Sequence, residues 1–498
     1  MIESMILCTK DFYCRQVKKW MKSKLSRISM TEATACLKVK GLVFYVLLFL
    51  SLYIYAGQVI FGTYLLSYLF YIMMAIALIY PLVDNITKNG FYNLIKSFKA
   101  KGSDSEKIAV LLAVYLGLNG LNDLYYGIGY VSYIRILVFY CLPILYFTHL
   151  SKVVDVKLSL IILSVSGALV GVETLWEFVR VAPTTFELLN FNYVKALTGN
   201  ELNQLLGPIR PTGLVEHLHA TAFVLSIAFY CATLLFLEGE DIKSKLLYLI
   251  LAMISFAALV GNGSRLVLVG VIFTWLYLYV TNSEYRKLLR LQMLTCTVAI
   301  VALYIVTSDN QLFWQSTYFQ YIWKIMVLVL PAHFVDIFAA NVNIISGNDS
   351  LEIFLSTDQD GGSVFDVSMY QNLTYLNALF GLGFGGANLK LGVASDDFYL
   401  LQLLSQLGII GTALFVALII MLVKNIRGAS KGVEKFYKYE KNLLSYYLIM
   451  LPFVTIHSSV LLRKSVWLLF CFSIVVMIKT DNRLNNELRK KNSLLGVS

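Results

Sequence analysis

The sequence predicts an all-α polytopic membrane protein, and three observations predict it. Of its 498 residues 58% are apolar, only 14% are charged, and the mean hydropathy is +0.70. A soluble domain would carry roughly a quarter charged residues. The apolar residues gather into runs of about twenty, the length that crosses a hydrocarbon core as a helix. The Lys and Arg residues fall between those runs in an alternating pattern. Together these features exclude a soluble globular enzyme, a disordered chain and a disulfide-stapled secreted domain.

The runs predict about twelve transmembrane helices, near 41–59, 63–83, 108–126, 131–150, 158–178, 218–237, 246–262, 266–281, 291–307, 400–423, 442–460 and 465–479. Cations orient them. With the N-terminus inside, the inside segments hold nine Lys and Arg in 1–40, five in 84–107, two in 151–157, two in 238–245, three in 282–290, six in 424–441 and five in 479–498. The outside segments hold only Arg180, Lys195, Arg210, Arg265, Lys324, Lys390, Arg463 and Lys464. Cytoplasmic loops are the ones that collect Lys and Arg, so both termini are expected in the cytoplasm. The expected organisation is a basic cytoplasmic arm (1–40), a transmembrane bundle (41–479) and a basic cytoplasmic tail (480–498). The arm is too long and too basic for a cleaved signal peptide. Cys8, Cys14 and Cys36 lie in the arm, and Cys141, Cys231, Cys296 and Cys471 in apolar runs, with neither zinc spacing nor a disulfide framework.

Two outside segments are too long to be turns, about 179–217 and about 308–399. In the second, Trp314, Trp323 and Ile325–Leu330 are expected to lie on or dip into the outer leaflet. Gly361-Gly362 and Gly381-Leu382-Gly383-Phe384-Gly385-Gly386 mark irregular backbone there. From 308 to 398 the loop carries nine Asp and Glu against two Lys, a net charge of −7.

The sequence holds no G-x-x-x-x-G-K-[ST] or H-E-x-x-H pattern, so nothing argues for a nucleotide-driven machine or a zinc protease. His217-x-His219 beside Glu216 is a weak metal spacing, and no metal or cofactor is expected. The informative residues are the few outside arginines next to helix ends. Arg210 lies in Gly207-Pro208-Ile209-Arg210-Pro211-Thr212-Gly213, and Arg265 closes the tight turn Gly261-Asn262-Gly263-Ser264-Arg265. A permanently charged, forked guanidinium at a membrane boundary suits a phosphate or diphosphate; the alternative is snorkelling to lipid headgroups. Arg135, inside a span, is expected to pair with Asp123. Glu173 and Glu177, one turn apart with Arg180 a turn further on, read as a solvated helix end, or as a base facing a cavity. Asp396 and Asp397 stand where the acidic loop meets the next span. One carboxylate there suits a base for a sugar hydroxyl, and Ser395 or Asp396 suits a helix cap.

At these residues the chain resembles the superfamily of O-antigen polymerases (Wzy-type) and O-antigen ligases. Arg210-Pro211-Thr212-Gly213 with His219-Ala220-Thr221-Ala222 is similar to the family's Arg-x-x-Gly entry after the middle outer loop. Gly263-Ser264-Arg265-Leu266 is similar to its Ser-Arg hairpin. Gly381–Gly385, followed by Asp396-Asp397 and Gly408-Ile409-Ile410-Gly411, is similar to the Gly-rich turn and helix start after its large loop. The resemblance implies a glycosyltransferase-C-like bundle with one large periplasmic loop, in the bacterial inner membrane. It implies a metal-independent transfer from an oligosaccharide on undecaprenyl diphosphate. Arg210, Arg265, Arg180 and Lys390 would then contact diphosphate or glycan, and Asp396, Asp397, Glu216 and His217 are the candidates for acid–base work. A chain-length regulator and membrane lipids are the implied partners, with no nucleic acid. Ligases of the family place a His where Asp396 or Asp397 stands, which favours a polymerase. The Arg-x10-Gly loops of some polymerases are not evident. The alternatives are a ligase transferring glycan to lipid A–core, a lipid-linked oligosaccharide flippase or other transporter, and a structural scaffold.

Overall fold

The computed structural model describes residues 42–53, 67–76, 78–79, 103–125, 129–151, 154–180, 211, 215, 218–239, 241–308, 314, 375–383, 399–431, 434–455 and 463–494. Among them every regular element is helical. In chain order these are α1 (Leu42–Tyr53), α2 (Ser67–Ile76), α3 (Asp104–Tyr125), α4 (Tyr130–Leu150), α5 (Val156–Arg180), α6 (Leu218–Glu238), α7 (Ile242–Asn262), α8 (Arg265–Thr281), α9 (Arg286–Val306), α10 (Tyr375–Phe380), α11 (Tyr399–Lys431), α12 (Glu434–Thr455) and α13 (Lys464–Leu494).

Eight of the described helices are long and apolar enough to cross a membrane: α3 to α7, α9, α11 and α13. The chain is therefore built as an all-α, multi-pass membrane protein. The predicted span 266–281 is α8, which is shorter than the eight, as are α1 and α2. The predicted span 442–460 falls on α12, which is not among the eight. Its first two turns carry Glu434, Lys435, Lys438, Glu440 and Lys441, and Pro452 interrupts its far end. The predicted tail also begins differently. α13 does not stop at 479 but continues to Leu494, with Thr480 and Asp481 buried, because Asp481 accepts from the Ser105 hydroxyl (2.9 Å) and backbone N–H (3.2 Å).

The core of the bundle is α6. The whole apolar window of this helix is buried, and it packs on α5, α7, α8, α12 and α13. A helix that is apolar all round belongs inside a bundle. Close approach to α5 is possible because Gly167 faces Ala228, where a β-carbon would collide with the alanine methyl. Inside α4 the turn Leu137–Cys141 widens to a π-helix just before Pro143. Proline lacks the N–H that would bond the carbonyl four residues back and clashes with it, so the turn opens. Trp467 Nε1 donates to the Tyr140 carbonyl in that turn (3.1 Å).

Short connections fix which helix ends lie together. One end gathers the starts of α3, α7 and α12, the ends of α6 and α13, and the turn 282–285 between α8 and α9. Here Lys438 pairs with Glu238 (2.9 Å), Tyr285 donates to Glu238 (2.7 Å), Arg483 grips Glu440 (2.6 Å) and Lys424 approaches Asp104 (3.6 Å). Burial, with Glu238 beside it, pushes the Tyr285 phenol up to about 12, so it remains a donor. This is the cation-rich end. The opposite end holds the turn from α7 to α8.

Candidate functional site

The α7–α8 turn is built by three residues. Gly263 adopts the left-handed conformation (φ 76°) that ends α7, donating its N–H to the Val260 carbonyl (3.1 Å). Asn262 is fully buried and donates to the carbonyls of Pro211 (2.8 Å) and Leu218 (3.3 Å). Ser264 shares a hydrogen bond of 3.1 Å with His219 Nδ1. Pro211, Leu218 and His219, distant in the sequence from Asn262 and Ser264, are thus tied to the turn. Arg265, half-buried, is the first residue of α8. Phe178 of α5 packs beside Gly261, and Trp314 packs edge-on to Phe178 and Tyr304.

Two expectations change here. Trp314, expected on or dipping into the outer leaflet, is buried against protein, with its indole N–H donating to Thr307 Oγ1 (3.2 Å). Nor is the end of α5 solvated throughout, since Glu177 is only 8% exposed while Glu173 is half-buried. Glu177 precedes Phe178, whose ring is locked under the turn, and the helix carries the carboxylate inward with it.

The start of α8 has a serine in the capping position that does not cap, whereas two other uncapped starts, those of α4 and α9, are preceded by Gly129 and Tyr285. Ser103 and Asp241 cap α3 and α7 by accepting from the backbone N–H three residues on, at 3.2 and 3.3 Å. Ser264 occupies the same position before α8, with a ψ of 90° instead of about 160°, and makes no side-chain cap. The first-turn amides and the helix dipole therefore present positive potential beside the Arg265 guanidinium. Such a helix start is suited to an anion.

A second polar unit forms from α3, α10 and α11. Gly408 interrupts α11 with φ 63° and Gly381 follows α10 with φ 76°; a β-carbon on either would collide with the backbone of the other segment. Their mutual approach requires glycine at both positions. The carbonyls released by this break take donors from α3. Tyr115 reaches Phe380 O (3.0 Å) and Leu407 O (2.6 Å), Asn119 reaches Phe380 O (2.6 Å) and Gln406 O (3.1 Å), and Asn122 reaches Gly381 O (3.0 Å). Gly383, also left-handed, lies against the Asp123 carboxylate. Asp123 is fully buried and accepts from the Ser132 hydroxyl (2.7 Å). The ion pair expected with Arg135 is not formed: Arg135 is exposed, and the two residues make no salt bridge among the described ones. Ser132 precedes Tyr133, which packs at Gly120 where α3 and α4 meet, and its hydroxyl is thereby brought to the carboxylate.

Of the residues the sequence singles out, Arg265 is placed at the start of α8, and Arg180 is the last residue of α5. Arg210, Glu216, His217, Lys390, Asp396 and Asp397 lie outside the described residues. The sequence missed the His219–Ser264 pair and the donor set Tyr115, Asn119 and Asn122. The first had a signal in the H-x-H spacing; the second reads as ordinary helix until its partner backbone is known. Among the described residues no three His, Cys, Asp or Glu side chains gather as a metal site. No protein family matches the chain, and no curated protein is similar to it in sequence.

Proposed function

We propose that the chain is a glycosyltransferase that polymerises oligosaccharide repeat units carried on undecaprenyl diphosphate, at the periplasmic face of a bacterial inner membrane. The observation that carries this proposal is the uncapped start of α8 with Arg265 at its first position, bound by Asn262 and Ser264 to the segment that follows Arg210. A guanidinium and open first-turn amides match a diphosphate in charge and geometry. The positive-inside pattern assigns this end to the outside, where cations are scarce.

In the proposed reaction a hydroxyl oxygen of the acceptor sugar attacks the anomeric carbon of the donor. The bond from that carbon to the diphosphate oxygen breaks, and its electron pair leaves with the lipid diphosphate. Arg265 and Arg210, with the α8 amides, offset the charge that develops on the leaving group. The hydroxyl proton passes to a carboxylate, Asp396 or Asp397, or to His217 or Glu216. Arg180 and Lys390 contribute to glycan or diphosphate contact. The bundle presents apolar helix faces to the polyprenyl tail, and a chain-length regulator is the expected protein partner.

The test is a polysaccharide ladder on a gel. Arg265→Ala and Arg210→Ala should each abolish polymer while protein level in the membrane is unchanged. Polymer of normal length from the double variant overturns the proposal. A deletion strain separates the ligase alternative: loss of a polymerase leaves single repeat units on the lipid acceptor, whereas loss of a ligase leaves none. A flippase would move lipid-linked oligosaccharide across proteoliposomes without forming a glycosidic bond.

A further inference from the structure

Resting on the diphosphate assignment above, we propose that His219 is a positioning residue that holds the Ser264 hydroxyl away from the start of α8, keeping its first-turn amides open to the diphosphate. Serine is among the best helix caps, and the residue directly before a helix accepts from the second or third amide when nothing competes for it. Ser103 and Asp241 behave this way at the starts of α3 and α7. Ser264 does not, and the difference lies in what its hydroxyl meets. It is 1% exposed, so water does not claim it, and its partner is His219 Nδ1 at 3.1 Å.

The imidazole is itself held to the turn. His219 follows Leu218, whose carbonyl Asn262 binds, so α6 cannot shift away from Ser264 without breaking that contact. Asn262 adds an independent sign of a ligand. It is fully buried, both of its N–H donations go to backbone carbonyls, and its Oδ1 has no hydrogen-bond partner. That oxygen is an acceptor for a sugar or phosphate hydroxyl, in the same turn as the uncapped amides. Among the described residues the turn therefore carries a helix start without a side-chain cap and an acceptor without a hydrogen-bond partner.

Without the imidazole, the Ser264 hydroxyl would turn to the N–H of Leu266 or Val267, and its ψ would open toward the value seen at Ser103. The left-handed Gly263 before it gives the turn room to do so. The cap would then occupy an amide that the diphosphate needs. Loss of His219 closes the site by making the helix better finished.

The experiment uses the full-length protein in lipid nanodiscs, with undecaprenyl diphosphate as the probe and undecaprenol as the uncharged control. His219→Ala should weaken binding about tenfold, the worth of one cap interaction. His219→Asn, which keeps a partner for Ser264, should bind as the wild type does. The discriminating variant is His219→Ala combined with Ser264→Ala, which has no hydroxyl left to form the cap and should recover wild-type affinity. Melting temperatures serve as the check on folding, and His219→Ala should melt no lower than the wild type. Failure of the wild type to bind the diphosphate above the undecaprenol control would remove the diphosphate assignment itself. Wild-type binding with no effect of His219→Ala, or with a double variant as weak as His219→Ala, would overturn the role of His219 and leave that assignment standing.

Discussion

The two ends of the bundle solve the same problem in different ways. Every helix end leaves polar backbone groups that need partners. At the cation-rich end several partners are local or ionic: Ser103 and Asp241 cap their own helices, and Glu238, Glu440 and Asp104 pair with Lys438, Arg483 and Lys424, although Asp481 of α13 also reaches across to the Ser105 amide. At the other end side chains reach across to the backbone of distant segments. Asn262 binds Pro211 and Leu218, and Asn119 and Tyr115 bind the carbonyls around Gly381 and Gly408. The Ser264 side chain is withheld from its own helix. The first end is finished for stability. The second is held rigid by tertiary contacts while some of its donors remain uncommitted, which is what a binding surface for a charged ligand requires.

Substitutions sharpen the contrast. The largest effect should come from Gly408→Val, which forces a branched side chain into a left-handed conformation against the Gly381 backbone. More than about 3 kcal/mol should be lost, enough to remove folded protein from the membrane as followed by thermal melting. At the cation-rich end Arg483→Ala leaves the Glu440 carboxylate buried without its partner. Because Arg483 is itself partly exposed, the loss should be near ~2 kcal/mol in a denaturation measurement, below the range for a fully buried pair. Next come two identical changes with different outcomes. Ser103→Ala should cost about 1 kcal/mol by removing a cap, whereas Ser264→Ala removes none and should shift the melting point less. Equal losses at both sites would erase the distinction between the ends.

The smallest effect concerns pH. The Ser244 hydroxyl and backbone N–H hold the exposed Asp241 carboxyl below the usual aspartate range. A lowered folded value means that this contribution is present above the unfolded pKa, about 3.9, and is lost as pH falls through the lower folded value. Asp241→Asn should therefore flatten acid-induced unfolding of the α6–α7 turn slightly, as read by amide hydrogen exchange between neutral pH and the acid range.

The spans of α3 to α7, α9, α11 and α13 were legible because twenty apolar residues in a row admit few other structures. The span expected at 442–460 falls on α12, which starts earlier, at Glu434; its charged first turns are held by Glu238 and Arg483 from other helices, which no local pattern announces. The same limit applied to the site. Arg265 stood out as a scarce outside cation, and the glycines at 381 and 383 stood out as irregular backbone, whereas Gly408 read as part of a span. What they break against, Tyr115, Asn119 and Asp123, lies more than 250 residues away in the chain and depends on tertiary approach. Asp123 shows the error that follows. Charge scarcity suggested Arg135 as its partner, but a nearer hydroxyl, Ser132, serves it.

The sequestration of α6 also constrains biogenesis. As it leaves the translocation machinery, this segment is apolar enough to enter lipid, yet in the finished protein its Ser226 and Tyr230 hydroxyls are bonded to Tyr446 and Asn442, more than two hundred residues downstream. Until α12 has been synthesised, the Tyr230 hydroxyl must find a temporary companion in the bilayer, whereas Ser226 already donates to the Phe223 carbonyl of its own helix. Closure of the bundle is thus deferred to the last part of translation, and a chain cut short before α12 would be inserted but unfinished, a natural substrate for membrane quality control.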